Sequence, residues 1–272
     1  MLFWDIGLAR RLERAEGRAC VSFAEAQRGL HPESGAEWIE CAGALAVFNG
    51  VNSPVTQSFG LGLFEELDTA SLNQIERFFF DRGTAAVHEV SPLAGVAAMD
   101  LLCARNYKPI EISSVLYRPT EHPVEEASGN VRAHVIGENE RDRWTDISAR
   151  GWSSEYPEML DTIRGFGAIA AARRDSPCFL AEIDGEPGAA GALGIHDRVA
   201  LFGGSATVPE LRRRGLQSAL LHERMRYAFE QGCDLAMMVA AAGSESQRNA
   251  ERKGFRIAYT RTKWQLSAYT GV

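Results

Sequence analysis

Apolar residues recur with helical spacing over residues 211–231, where Leu216, Leu220, Leu221, Met225, Ala228 and Phe229 line one side and Glu223, Arg224, Arg226 and Glu230 the other. Gly232 closes this predicted helix. The short apolar run 235–241 predicts a strand, followed by a polar turn, a second helix over 245–253, Gly254-Phe255 and an alternating strand running to Leu266. The same α-β-α-β order stands earlier in the chain: a helix over 71–81 ending at Gly83, a strand over 86–90, a helix over 93–105, then Asn106-Tyr107 and a strand over 110–117. Tyr107 occupies the place that Phe255 takes in the later copy.

Upstream of each copy lies a β-rich stretch, 39–63 and 178–208, whose breaks at Asn49-Gly50 and Asp184-Gly185 predict antiparallel hairpins. Each half therefore reads as a mixed α/β sandwich, one twisted sheet with helices on its faces. Between Pro119 and Asn130 the chain turns polar and breaker-rich, as linkers do. The expected domains are residues 1–122 and 131–272.

Composition narrows the partners. The 272 residues, 45% of them hydrophobic, suffice for a core in each half. A formal net charge of −7, with no basic tract flanked by aromatic residues, argues against nucleic acid and for a small-molecule or protein substrate. The longest apolar runs, such as 42–48 and 235–242, fall far short of the roughly 20 residues of a membrane span. The amino terminus, with Asp5, Arg10, Arg11, Glu13 and Arg14, lacks the pattern of a signal peptide, so a cytoplasmic location is expected. Cysteines 20, 41, 103, 178 and 233 are odd in number and form no C-x-x-C pair, and the histidines lack paired-ligand spacing. Reduced thiols and no metal are expected; the oligomeric state stays open, a homodimer included.

The chemistry concentrates in Gly204-Ser-Ala-Thr-Val-Pro-Glu-Leu-Arg-Arg-Arg-Gly-Leu-Gln-Ser-Ala-Leu-Leu221, a strand running into an amphipathic helix through three arginines and a glycine. Cations at a helix amino terminus oppose the macrodipole, so Arg212, Arg213 and Arg214 are unfavourable there unless an anion sits among them. The free N–H groups of a first helical turn bind phosphate, and Gly215 lets the backbone approach it without a Cβ in the way. Together they form a pyrophosphate cradle; the bland alternative is an arginine cluster on a solvated face.

V-P-E-L-R-R-R-G-L-Q-S-A-L-L resembles the signature loop of the GCN5-related N-acetyltransferases (GNAT), Q/R-x-x-G-x-G/A, with Arg212, Gly215 and Gln217 at the defining positions. Gln217 departs from the usual Gly or Ala. S-E-S-Q-R-N-A-E-R-K-G-F resembles the helix ending in Gly-Phe, with Asn249 where an amide usually reaches the coenzyme. The resemblance implies two GNAT-like domains, each a mostly antiparallel sheet flanked by helices. It implies acetyl-CoA as cosubstrate, held by Thr207, Val208, Arg212, Arg213, Arg214, Gly215, Leu216, Gln217, Ser218 and Asn249, and an amine, on a small molecule or a protein, as acceptor. It also implies direct attack, with a backbone N–H of the preceding strand polarising the thioester carbonyl. The Tyr that many relatives use as acid is replaced by Ala250. Tyr259 and Glu155 are candidate substitutes, but core packing is the favoured reading for the Tyr and a solvated loop for the Glu, so no catalytic side chain is assigned. The competing implication is an inactive acyl-CoA-binding sensor or scaffold. The segment 152–157 resembles the region that positions the acceptor.

At the corresponding place the first half reads Gly60-Leu-Gly-Leu-Phe-Glu-Glu-Leu-Asp68, with Glu65 and Glu66 where Arg213 and Arg214 stand in the second. Carboxylates beside a pyrophosphate repel it. This half is expected to be a degenerate copy that does not hold coenzyme A in the same way.

Overall fold

A computed structural model describes residues 5–120, 130–154 and 157–267. In chain order the elements are α1 (Ile6–Leu30), β1 (Glu37–Cys41), β2 (Ala44–Phe48), β3 (Gln57–Phe59), α2 (Thr69–Phe80), β4 (Ala86–Val90), α3 (Gly95–Ala104), β5 (Lys108–Pro119), β6 (Val131–Val135), α4 (Arg141–Trp152), α5 (Leu160–Ala172), β7 (Cys178–Ile183), β8 (Glu186–His196), β9 (Val199–Thr207), α6 (Leu216–Glu230), β10 (Leu235–Ala241), α7 (Glu245–Arg252) and β11 (Arg256–Leu266). This is the mixed α/β, mostly antiparallel sheet-and-helix architecture read from the sequence.

The repeated order extends to the way the helices end. After α2, the Gly83 N–H donates to Phe80 O and the Thr84 N–H to Phe79 O; after α6, the Gly232 N–H donates to Phe229 O and the Cys233 N–H to Ala228 O. After α3 and α7, Asn106 and Gly254 take φ of 64° and 84°, and the following Tyr107 and Phe255 N–H groups reach back 3.1 Å to Leu102 O and Ala250 O. A left-handed residue followed by this long return bond satisfies carbonyls that a helix end would otherwise leave bare. Asn106 tolerates the conformation that Gly254 adopts without a Cβ penalty.

By compactness the chain forms two units, residues 1–118 with 237–272, and residues 119–236. The first cut falls where the sequence turns linker-like. The second falls inside β10, because β11, late in the chain, pairs antiparallel with β4 on one side and β5 on the other.

In the first unit β1, β2 and β3 form antiparallel neighbours, and β3 pairs in parallel with β4. The helix α1 was not anticipated. Asp5 starts it by accepting the Leu8 N–H at 2.8 Å, and it buries Leu8, Leu12, Ala15, Ala19 and Phe23 along one stripe. The core of this unit gathers Leu72, Ile75 and Phe79 of α2, Leu102 of α3 and Tyr107. Each large apolar side chain buried here contributes about 1.5–3 kcal/mol.

In the second unit β6, β7, β8 and β9 pair antiparallel in sequence order. Asp184 and Gly185, at φ of 55° and 83°, make the predicted tight turn between β7 and β8. Trp144 of α4 is the centre of the core with Ile147, Leu180, Ala190 and Val208, and its indole N–H is shared between Phe179 O and Gly191 O at 3.1 Å each.

One predicted helix face is corrected. In α6, Phe229 is 56% exposed, and Arg224, read as part of the polar side, is only 3% exposed. Arg224 finds backbone acceptors beneath the helix, whereas Phe229 lies near the helix end beyond the packed face.

Candidate active site

In the second unit β9 ends at Thr207, a short helical turn spans Pro209–Leu211, and Arg212 to Gly215 lead into α6. The turn is seated by leucines: a Cβ on Gly188 of β8 would lie 2.3 Å from Leu211 Cδ1 and 2.9 Å from Leu216 Cδ1, so a larger residue there would have to push both leucine side chains aside. Arg213 takes φ of 62°, a conformation L-residues rarely adopt, and Gly215 takes φ of 90° as the residue capping α6.

The start of α6 has no side-chain cap and no acidic residue in its first turn. Among the described residues, no carboxylate lies within ion-pair distance of Arg212, Arg213 or Arg214. Among the described residues, a Cβ on Gly215 would meet only Val131 Cγ2, at 3.9 Å, so no described atom crowds the position beside it. The first copy is built the opposite way. There Asp68 accepts the Ser71 N–H at 2.7 Å at the start of α2, and that bond holds its carboxyl below the usual range. Its loop is filled as well, with Leu61 and Leu63 buried and the Phe64 ring under the Arg14 guanidinium at 4.2 Å.

The predicted site residues divide by what they already hold. Arg212 turns back into the protein: Nε donates to Thr207 O at 3.3 Å, and Nη2 reaches Ser154 Oγ at 2.7 Å and Gly151 O at 3.4 Å. Its side chain ties the loop to the end of α4, leaving Arg213 and Arg214 as the outward cations. Gln217 donates from Nε2 to Thr207 Oγ1 at 2.6 Å, so the departure from Gly or Ala ties the first turn of α6 to the end of β9. The Val208 N–H is taken by Gly188 O at 2.9 Å. Leu216 is buried beneath the loop, while Gly215, Gln217 and Ser218 are exposed. Asn249 lies on α7, in the other unit, exposed, with its Oδ1 accepting from Arg252 Nη1 at 3.2 Å.

Of the candidate acids, Glu155 lies outside the described residues. Tyr259 is buried on β11, its hydroxyl donating to Glu13 Oε1 at 2.8 Å, and burial pushes its pKa well up. A hydroxyl so engaged is a core group. The ties made by Arg212 and the burial of Arg224 were missed at the sequence level; nothing in a run of arginines distinguishes a side chain that folds back from one that faces out.

Residues 141–255 match the family model described as acetyltransferase (GNAT) family. The chain carries a GNAT acetyltransferase domain. The matched stretch runs from α4 through the arginine loop to Phe255, so both the loop and Asn249 fall inside the GNAT domain. In fold the chain is similar to a GCN5-related N-acetyltransferase from Kribbella flavida, with 17% identity over 96% of each chain and a TM-score of 0.68. It is also similar to a GCN5-related N-acetyltransferase from Sphaerobacter thermophilus, at 15% identity over 95% of this chain and 93% of that one, TM-score 0.56. A tandem GNAT protein from the clavulanic acid biosynthesis pathway aligns at 12% identity over 84% of this chain and 76% of that one, TM-score 0.55. At these identities the likeness is one of fold. No curated protein matches. Among the described residues no helix is long and apolar enough to cross a membrane, and no group of three or more His, Cys, Asp or Glu could hold a metal ion.

Proposed function

We propose that the GNAT domain transfers an acetyl group from acetyl-CoA to an amine, with the loop from Arg212 to Ser218 holding the diphosphate of the coenzyme. The observation that carries this reading is the uncapped start of α6, set against the carboxylate-capped start of α2. Backbone donors, two outward guanidinium groups and the uncrowded position beside Gly215 fit an anion with several oxygen acceptors. Thr207, Val208 and Asn249 complete the proposed cofactor-binding set. The functional domains are the two copies, residues 1–122 and 131–272, of which only the second binds acyl-CoA.

Acetyl-CoA supplies an activated thioester. The chain's part is to hold the diphosphate at the helix head, keep the end of β9 in place through Gln217 and Arg212, and offer strand N–H groups to the carbonyl. The neutral acceptor amine adds to the thioester carbonyl carbon, the C–S bond breaks, and coenzyme A leaves as a thiolate that takes up, by way of solvent, the proton the amine gives up; no side chain is assigned as acid or base. Direct attack requires no covalent enzyme intermediate.

Titration calorimetry with coenzyme A tests the reading. Reversing Arg213 and Arg214 together to Glu should weaken binding by roughly a hundredfold, about 1 to 1.5 kcal/mol for each solvent-screened reversal. No saturable binding by the unmodified protein would defeat it. Saturable binding without transfer to any amine in a broad screen would replace it with an acyl-CoA-binding protein.

A further inference from the structure

The strand β9 is irregular just before the loop. Ala190 of β8 pairs with Ala206, but Ala192 pairs with Gly203, so Gly204 and Ser205 together oppose the single residue Gly191. Gly204 takes φ of 62°, as the first residue of a glycine bulge does. Arg224 of α6 sits against this bulge from below. Its Nη1 donates to Ala192 O at 3.3 Å and Gly203 O at 3.4 Å, its Nε donates to Leu220 O at 3.2 Å, and its guanidinium lies 5.0 Å from the Phe202 ring centroid. A Cβ on Gly191 would lie 3.1 Å from the guanidinium carbon, so that glycine makes room for it.

Arg224 is a buried cation, and among the described residues no carboxylate pairs with it. A Met or Leu would fill the same space without desolvating a charge. What only the arginine supplies is donors on both flanks of the bulge. Gly203 C=O and Gly204 N–H belong to one planar trans peptide group, so they point in opposite directions. A cation on that oxygen withdraws electron density from the peptide and makes the N–H a stronger donor. The same bond fixes where the N–H is aimed, away from the Arg224 guanidinium.

We propose that Arg224 is a positioning residue for acyl transfer: through the Gly203 carbonyl it aims and polarises the Gly204 N–H, the donor that meets the thioester carbonyl. This rests on the acyl-transfer reading above.

The test needs no acceptor. Coenzyme A and acetyl-CoA are titrated calorimetrically, and difference infrared spectroscopy follows acetyl-CoA isotope-labelled at its carbonyl. In the unmodified protein the bound carbonyl band falls below its free frequency. Arg224→Met should keep the coenzyme A dissociation constant within about threefold while the band returns toward the free position, and Arg224→Lys should restore part of the shift. Gly204→Ala, which strains the bulge without touching the buried charge, should lose the shift as well, and it serves alone should Arg224→Met fail to fold. An unshifted band in the unmodified protein, or a shift that survives Arg224→Met or Gly204→Ala, overturns the assignment. Failure of the unmodified protein to bind either ligand overturns the acyl-transfer reading and this assignment with it, and shows in the calorimeter before any spectrum is taken.

Discussion

Replacing Arg261 with Met should destabilise the protein, and more so as pH rises. Arg261 lies on β11 with its side chain 1% exposed. Its Nη1 stands 3.1 Å from Glu13 Oε1 and 2.7 Å from Glu16 Oε2, and its Nη2 stands 2.8 Å from Glu16 Oε1. Its Nε is 3.0 Å from Glu89 Oε2, within ion-pair distance but without hydrogen-bond alignment. The only other cation of the cluster, among the described residues, is Lys263, 3.2 Å from Glu89 Oε1 and 2.9 Å from Glu111 Oε2. Burial outweighs the attraction of Arg261 at Glu13 and Glu89, so both carboxyls stand above their ordinary value even with the arginine present. Removing one partner of a buried pair costs about 3–5 kcal/mol, against a typical total stability of about 5–15 kcal/mol. A carboxyl whose folded pKa is raised contributes stability that is full below its ordinary value of 4.5 and is lost as pH rises through the folded pKa. Without Arg261 both carboxyls rise further, so the loss should be fullest near about pH 8 and shrink toward about pH 5. Urea unfolding at both pH values, followed by tryptophan fluorescence, measures it. A loss under about 1 kcal/mol, or one that is the same at both pH values, would refute the reasoning.

Two further outcomes are expected. Gly215→Ala should lower coenzyme A affinity about tenfold or more, because φ is 90° and the added Cβ enters the uncrowded position at the start of α6; calorimetry showing unchanged affinity would disprove the cradle. His88 is buried between Ser58 Oγ at 2.6 Å and Tyr107 OH at 2.8 Å, and burial holds its pKa down to about 3. It should therefore stay neutral, and its ring resonances should be flat, from about pH 8 to about pH 5; a titration in that interval would show the network to be open to solvent.

Much of the fold was legible because it rests on local signals. The strand over 235–241 coincides with β10, and the breakers Gly83, Gly232 and Gly254 stand where the caps form. The helix α1 was harder to see, since Ala9, Ala15, Ala19 and Ala24 supply much of its buried stripe and alanine marks an apolar face weakly. The place of β11 between β4 and β5 follows from pairing over long sequence separations, which no window along the chain contains. In the candidate site, the glycine and the arginine run could be read as an anion cradle. The division of labour among the arginines could not, because Arg212 and Arg224 are told apart from the rest by acceptors that α4, β8 and β9 bring to them.

The insertion of β11 into the sheet of the first unit bears on synthesis. Residues 119–236 are contiguous and can complete their own contacts while the ribosome is still working. The earlier segment must wait with β4 and β5 unjoined, the edges they turn to β11 bare, until residues 256–266 have emerged. Such edges invite pairing with other molecules, so a stalled or prematurely terminated product lacking β11 is the species most prone to aggregate.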